Sequence, residues 1–307
     1  DNGWEQTPKV RLSVLNPGGK NIVNRNLYHT FIPDSARYIS HKKLGITMGI
    51  KASRHEWLVF TEPNCRPQSN QWLKQMARNF TPATEIVLGY SNYEKVPGWL
   101  NKKITFDTLL NSMRYLGMAL SGHPYMGTGR NLAYRKTLYY KQKGFASHLN
   151  LQRGEDDLFI NETAHAHNTR VETGSDSLMR IAMPKYKKIW CEEKISYAAT
   201  SRLFKGTARY IMGFETCSRL LFYAAIIATI ITGILLHQWT TLGIAILLWA
   251  ARFVMQLIVF RKTAQAFGER KFCALLPVFD FLCMFSNRWN KGVLCFTPMV
   301  SGGNPYN

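Results

Sequence analysis

Acidic residues are scarce in this sequence. Its 307 residues contain 19 aspartates and glutamates against 39 lysines and arginines, which gives a formal net charge of +20. So basic a balance indicates an anionic partner, and nucleic acid, anionic lipid headgroups and phosphorylated substrates all qualify. We expect no nucleic acid partner, because the cations are scattered and no nucleic-acid-binding module is recognisable.

Closely spaced cysteines are missing as well. The six cysteines include no Cys-x-x-Cys pair, which argues against a disulfide framework and favours reduced thiols in a cytosolic setting. Internal repeats and low-complexity tracts are also lacking, and apolar residues make up 46% of the chain. Extensive disorder is therefore excluded, and the length suffices to bury a core without disulfides or metal.

The low mean hydropathy of −0.18 argues against a multi-span transporter, yet two long runs are apolar. Residues 220–236 lack any charge, and residues 242–260 follow after a short uncharged connector. These runs predict a transmembrane helical hairpin. Basic residues flank it on both outer sides and are absent from the connector. The positive-inside rule therefore places both ends, and the domain before them, on the cytoplasmic side of the membrane.

Two features of this region qualify that prediction. Arg252 lies inside the second run and favours a buried hairpin in a soluble protein, since a mid-membrane arginine costs about 2.5 to 3.5 kcal/mol on insertion scales. A third apolar run, residues 274–285, is too short to span a membrane and carries Asp280. It predicts an interfacial or re-entrant helix.

Ahead of the hairpin, helix-like and strand-like patterns alternate. Residues 40–53 place Leu44, Met48 and Ala52 on one stripe of an amphipathic helix that Ser40 can cap. A β-prone run over residues 56–61 follows and ends in a polar, turn-rich loop. A further helix over residues 70–79 and a strand over residues 84–90 complete the pattern, which predicts an α/β fold that binds its ligand at strand ends.

Acidic residues are absent from residues 108–154 and then arrive together as Glu155, Asp156 and Asp157. One interpretation is a helix start, where carboxylates are favoured by the exposed backbone N–H groups. The other is a carboxylate cluster that faces a basic surface, holds a phosphorylated substrate and takes a proton from an attacking hydroxyl. The acids alone do not separate the two.

Four segments of the sequence favour the second interpretation, because together they resemble a known family. In this order and spacing the chain contains HKKLGITMGIKASRHEWLVFTEPNCRPQSNQWL, GTGRNLAYRK, GFASH and GEDDLFIN. The set resembles the bacterial membrane-bound family 2 glycosyltransferases of the GT-A fold. The resemblance implies a GT-A-like open sheet with flanking helices over residues 1–203 and a membrane-associated region over residues 204–307, located at the bacterial cytoplasmic membrane.

The resemblance also implies an inverting transfer with assigned residues. Asp156, in the acidic pair Glu155-Asp156 followed by Asp157, would be the base for the acceptor hydroxyl. Glu62 and Asn64 stand where the family carries two aspartates that hold a divalent ion on the donor diphosphate. With one carboxylate instead of two, Mg²⁺ or Mn²⁺ is expected to be held weakly.

Further residues receive roles in the same way. Glu193, Lys194 and Tyr197 lie where relatives carry a donor and acceptor gate near the membrane. Gly129, Arg130 and Asn131, within GTGRNLAYRK, correspond to a wall on the acceptor side. Asp1 would be a remnant of the nucleobase pocket, and the front end of the domain is expected to be incomplete.

Two functions remain open at this point. The first is transfer of a sugar from a nucleotide-sugar donor to a lipid-linked or saccharide acceptor, in contact with membrane lipids. The second is a catalytically degenerate or fragmentary relative that acts as a membrane-associated binding partner, which the altered Glu62-Pro63-Asn64 motif favours.

Overall fold

The computed structural model describes residues 13–15, 21–23, 39–184, 186–206, 208–270 and 276–280. The helices are α1 His41–Ala52, α2 Trp72–Ala77, α3 Trp99–Leu120, α4 Lys136–Lys141, α5 Asp157–Thr163, α6 Lys187–Thr200, α7 Ala208–Leu235 and α8 Trp239–Ala266. The strands are β1 Ser13–Leu15, β2 Asn21–Val23, β3 Trp57–Phe60, β4 Cys65–Pro67, β5 Ile86–Gly89, β6 Ser91–Tyr93, β7 Leu132–Arg135, β8 Thr169–Glu172 and β9 Met179–Ile181.

The main sheet has four strands in the order β3-β7-β5-β8. Strand β7 runs antiparallel to β3 and β5, and β8 runs parallel to β5. A three-stranded sheet of order β4-β9-β6 continues from it, and β1 pairs with β2. Every residue of β5 is buried, as expected of a central strand covered on both faces. The predicted α/β fold with flanking helices is confirmed.

Helix α1 begins where the sequence predicts, but the residues that it buries in the core differ from the predicted ones. The Ser40 side chain accepts a hydrogen bond from the backbone N–H of Lys43, which is an N-terminal cap. The buried side chains of α1 belong to Lys43 and Ile50, whereas Ala52 is exposed. The predicted stripe of Leu44, Met48 and Ala52 is therefore wrong, because Lys43 turns inward.

The inward turn of Lys43 has a clear physical reason. Its ammonium donates to the backbone carbonyls of His148 at 2.6 Å and Leu151 at 2.8 Å, so a buried polar group is satisfied by hydrogen bonds. Strands β3 and β5 and helix α2 occur where the sequence predicts them, each one or two residues shorter at its ends.

The hairpin of α7 and α8 is present and longer than the two apolar runs. Both helices are long and apolar enough to cross a membrane, and only 11% and 6% of their most apolar windows are buried within the protein. Trp239 already belongs to α8, so the connector is shorter than predicted. A buried hairpin of a soluble protein does not fit these exposed helices.

Arg252, which opposes insertion on its own, has an acidic neighbour. The carboxylate of Asp280 lies 3.9 Å from Nη2 of Arg252 and 3.0 Å from Nη1 of Arg219. It also accepts a hydrogen bond from the Tyr223 hydroxyl at 3.0 Å. Pairing of this kind lowers the cost of a charge inside a membrane. Residues 276–280 are helical, and the rest of the third apolar run lies outside the described residues, so its interfacial position stays a prediction.

The end of α8 is fastened to the sheets. Phe267 stacks on Tyr90 with ring centroids 3.9 Å apart, and Phe260 stacks on Phe106 at 5.1 Å. The carboxylate of Glu269 accepts a hydrogen bond from the Tyr90 hydroxyl at 3.1 Å. One hydrophobic core therefore includes residues from both sides of the predicted boundary at residue 203, and the division into two domains stays a prediction.

Candidate functional site

A cavity of about 320 Å³ opens where β3 ends. The strand delivers Phe60 and Glu62 to one wall, α1 delivers Lys42, and the start of α5 delivers Glu155 and Asp156. Ligands of open α/β sheets bind outside the carboxyl ends of strands, and this cavity lies at such a strand end. The cavity is therefore the candidate active site, and it brings together residues that are distant in the sequence.

Glu62 is held by two cations. Its Oε1 is 2.9 Å from Nζ of Lys42, and its Oε2 is 3.0 Å from Nε of Arg130. Burial alone would raise the pKa of Glu62, but the charges of Arg130 and Lys42 outweigh it and lower the pKa to about 2. The Glu62 carboxylate is therefore ionised near neutral pH, and both of its oxygens are engaged.

Lys42 lies between carboxylates on opposite sides of the cavity. Its Nζ is 2.8 Å from Oε1 of Glu155 as well as 2.9 Å from Glu62. Burial would lower the pKa of Lys42, but the charges of Asp156, Glu62 and Glu155 outweigh it and raise that pKa above its ordinary value. The Lys42 side chain is 43% exposed, so a ligand in the cavity can reach its ammonium group.

Asp156 is fixed by three donors. As the cap of α5, it accepts the backbone N–H of Asp157 at 2.8 Å on Oδ1. Its Oδ2 accepts the backbone N–H of Gly129 at 2.9 Å and the hydroxyl of Tyr197 at 3.1 Å. Burial, and then the charge of Asp156, raise the pKa of Tyr197 well above its ordinary value. The tyrosine therefore remains a protonated donor, and the carboxylate is held in one orientation at the cavity wall.

Arg130 and Glu193 lie behind the residues that line the cavity. The Arg130 guanidinium pairs with the Glu193 carboxylate as well as with Glu62, and it lies 5.6 Å from the centre of the Tyr93 ring. The Tyr93 hydroxyl donates to the second Glu193 oxygen at 3.0 Å. The Arg130 side chain is only 9% exposed, so its charge acts from beneath the cavity.

The structure brings together only part of the predicted site. Glu62, Glu155, Asp156 and Gly129 line the cavity. Arg130 and Tyr197 contact Glu62 and Asp156 from behind, and Glu193 is connected to them through Arg130. Asp157 points away into the protein, where it accepts hydrogen bonds from the Leu158 N–H and the Thr200 hydroxyl.

Three other predicted residues lie elsewhere. The Lys194 ammonium pairs with Asp107 at 2.6 Å. The Asn64 side chain is exposed and contacts the neighbouring Cys65 thiol at 3.6 Å. The Asn131 amide is buried and bonds to backbone carbonyls of Tyr90 and Ser177. Asp1 lies outside the described residues, so its predicted role in a nucleobase pocket stays a prediction.

The residues at the end of β3 do not fit a divalent ion. Mg²⁺ and Mn²⁺ prefer several oxygen ligands, usually including carboxylates. Both oxygens of Glu62 already face cations, Asn64 points elsewhere, and the described residues include no group of three or more His, Cys, Asp or Glu side chains placed to hold a metal. The predicted weak Mg²⁺ or Mn²⁺ site at Glu62 and Asn64 therefore has no suitable donor set here.

Sequence reasoning assigned no role to Lys42 and Tyr93. Lys42 occupies the first turn of α1, two residues after the Ser40 cap, and a lysine in a first helical turn is the one local signal that it offered. Tyr93 offers no comparable signal, because its contact with Glu193 depends on how β6 and α6 pack.

No protein-family profile matches this sequence, and no curated protein matches it. Among solved structures, the chain is similar to a mannosyltransferase of Pyrobaculum calidifontis in complex with GDP-mannose and Mn²⁺. The similarity covers 81% of this chain and 67% of that chain, at 15% sequence identity and a TM-score of 0.40. At this distance the two proteins need share neither donor nor metal, so the function has to be inferred from the site itself.

Proposed function

We propose that the protein is a membrane-anchored glycosyltransferase of the family 2, GT-A type. It moves a sugar from a nucleotide-sugar donor to a hydroxyl of a lipid-linked or saccharide acceptor. The observation that carries this proposal is Asp156, a carboxylate held by three donors at the wall of a cavity that also contains a lysine ammonium. A fixed base and a nearby cation are what transfer from a diphosphate leaving group requires.

Asp156 acts as the general base. Its carboxylate accepts the proton of the acceptor hydroxyl while that oxygen attacks the anomeric carbon. The bond from that carbon to the diphosphate breaks on the opposite face, so the sugar is inverted and a nucleoside diphosphate leaves. The Gly129 N–H and the Tyr197 hydroxyl keep the base aimed at the cavity, because both bind Oδ2.

The hairpin supports the acceptor side of the proposal. Two apolar helices with exposed side chains would hold the cavity beside a lipid surface, where a lipid-linked acceptor is concentrated. Basic residues flank these helices on the side of the catalytic region, which favours the cytoplasmic face.

A second candidate function is a binding subunit without turnover. The observation that favours it is the internal pairing of Glu62, Lys42, Glu155, Arg130 and Glu193. Both cations of this set are already paired with carboxylates of the protein, so no substrate anion is needed to satisfy them. In that case the protein binds a nucleotide but releases no product from a nucleotide sugar.

Turnover of a donor panel separates the two functions. The full chain, purified in detergent, is incubated with GDP-linked and UDP-linked sugars, with water as the acceptor of the sugar, and release of nucleoside diphosphate is measured with and without Mn²⁺. We expect turnover of at least one donor, and Asp156→Asn should lower it by about 10² to 10⁴-fold, the usual contribution of a general base.

The matched control for this substitution is Asp176→Asn, at an exposed aspartate. It should leave turnover unchanged. Absence of turnover with every donor, or equal rates for Asp156→Asn and the wild type, would contradict the enzyme function.

A further inference from the structure

The Lys42 ammonium lies between two carboxylates, as a bound cation would, and does not extend freely into solvent. It bridges Oε1 of Glu62 and Oε1 of Glu155 at 2.9 and 2.8 Å, and these carboxylates come from the end of β3 and the start of α5. An ammonium is a compact charge with three N–H donors. Two of them serve these carboxylates, which leaves one for a group in the cavity.

Two cations flank Glu62, and each of them also pairs with a second carboxylate, Glu155 for Lys42 and Glu193 for Arg130. Lys42 faces one oxygen of Glu62 and Arg130 the other, so two unit charges flank one carboxylate. Because Lys42 lines the cavity with a side chain that is 43% exposed, whereas the Arg130 side chain is 9% exposed, Lys42 is the member of this pair that faces a ligand.

Glu155 is a buried carboxylate at the wall of the cavity, and only 4% of this residue is exposed. Its Oε1 pairs with Lys42, whereas its Oε2 is buried and has no hydrogen-bond partner among the described residues. Because a buried carboxylate oxygen without a donor is costly, the Lys42 ammonium is the cation that stabilises this carboxylate.

We infer that the Lys42 ammonium takes the place of a divalent cation in this site, so that the diphosphate of the donor binds through Lys42 and without Mg²⁺ or Mn²⁺. The inference deepens the proposed function and rests on it for the identity of the ligand. Lys42 is then a binding residue that also opposes the negative charge developing on the leaving diphosphate.

Binding of GDP and UDP to the full chain tests this inference without turnover. Calorimetry should give the same affinity in EDTA and in Mn²⁺, within about twofold. Lys42→Ala should weaken binding in EDTA by about tenfold or more, as expected for a lost charge-assisted hydrogen bond. The control Lys51→Ala, at an exposed lysine of the last turn of α1, should bind as the wild type does.

The same variant should gain a metal site. Without the ammonium, Glu62 and Glu155 are free to bind Mn²⁺, so electron paramagnetic resonance should detect bound Mn²⁺ in Lys42→Ala and none in the wild type. If Lys42→Ala does not fold, Lys42→Arg keeps the charge and should retain nucleotide binding in EDTA.

Three results would overturn the inference: binding of Mn²⁺ by the wild type that Glu62→Gln abolishes, nucleotide binding that requires Mn²⁺, or no nucleotide binding in either buffer. Metal-free nucleotide binding without turnover of any donor would instead overturn the proposed function and leave the role of Lys42 intact.

Discussion

At the scale of single residues, two adjacent aspartates lie in different environments. Asp156 lines the cavity, whereas Asp157 is 1% exposed and points into the core. Burial, and in addition the charge of Asp156, raise the pKa of Asp157 to about 7. The second aspartate therefore stays protonated well above the pH at which an ordinary carboxyl group loses its proton.

Asp157 should make stability depend on pH. The pKa of Asp157 is raised in the folded protein. Its contribution to the free energy of unfolding is therefore present in full below the ordinary pKa of about 3.9 and is lost as the pH rises through about 7. The asparagine of Asp157→Asn stays neutral at every pH. The free energy of unfolding of this variant, relative to the wild type, should therefore rise by on the order of 1 to 3 kcal/mol between pH 5 and pH 8. Thermal unfolding of both proteins at the two pH values measures this.

Asp176→Asn is again the control, and its stability relative to the wild type should be the same at both pH values. A difference between Asp157→Asn and the wild type that does not change with pH would show that Asp157 titrates as an exposed aspartate does.

At the scale of elements, one amide connects several segments around β5. Nδ2 of Asn131 donates to the carbonyls of Tyr90 and Ser177, both at 2.9 Å, and its Oδ1 accepts the Trp72 indole N–H at 3.0 Å. A methyl group on Gly89 would lie 2.3 Å from this amide. The glycine is therefore required by close packing, and the amide belongs to the frame that positions Gly129 beside Asp156.

Asn131→Leu should destabilise the fold. The substitution removes the amide partner of the Ser177 carbonyl and of the Trp72 indole N–H, and the Tyr90 carbonyl keeps the Met179 N–H at 3.2 Å. The loss costs on the order of 2 kcal/mol in total. We expect the Tm to fall by several degrees, measured by scanning fluorimetry. Asn70→Ala removes an exposed amide and should leave the Tm unchanged; equal losses for both variants would contradict the role of Asn131.

The sequence predicts the elements around the cavity, but it does not predict how their side chains are oriented. The Ser40 cap, the strand before Glu62 and the helix start at Asp156 follow from local patterns, because a cap and a run of apolar residues act over a few positions. The inward turn of Lys43 and the exposure of Asn64 depend on partners from distant segments. No periodicity contains that information, so the predicted α1 stripe is wrong.

At the scale of the whole molecule, the hairpin packs directly on the region that contains the cavity. The stacking of Phe267 on Tyr90 and the bond from Tyr90 to Glu269 fix the end of α8 on the sheets. Asp280 meanwhile pairs with Arg219 and lies close to Arg252. A membrane that holds the hairpin would therefore also hold the cavity at a constant height.

Membrane association should depend on the exposed faces of the hairpin. Leu247 and Met255 are 68% and 65% exposed, and lysine at both positions adds about 2.5 to 3.5 kcal/mol per residue at mid-membrane depth. We expect the wild type to stay in the membrane fraction after alkaline carbonate washing and Leu247→Lys/Met255→Lys to be partly extracted. Leu73→Lys, at an exposed leucine outside the hairpin, should behave as the wild type; extraction of the wild type itself would contradict a spanning hairpin.

The central claim is that a fixed aspartate and a lysine ammonium perform sugar transfer in one cavity. The most direct measurement is nucleoside diphosphate release from the donor panel by the full chain in EDTA. The account predicts turnover of at least one donor that Asp156→Asn reduces by about 10² to 10⁴-fold and Asp176→Asn leaves unchanged. No turnover of any donor in EDTA, whether or not Mn²⁺ restores it, would contradict it.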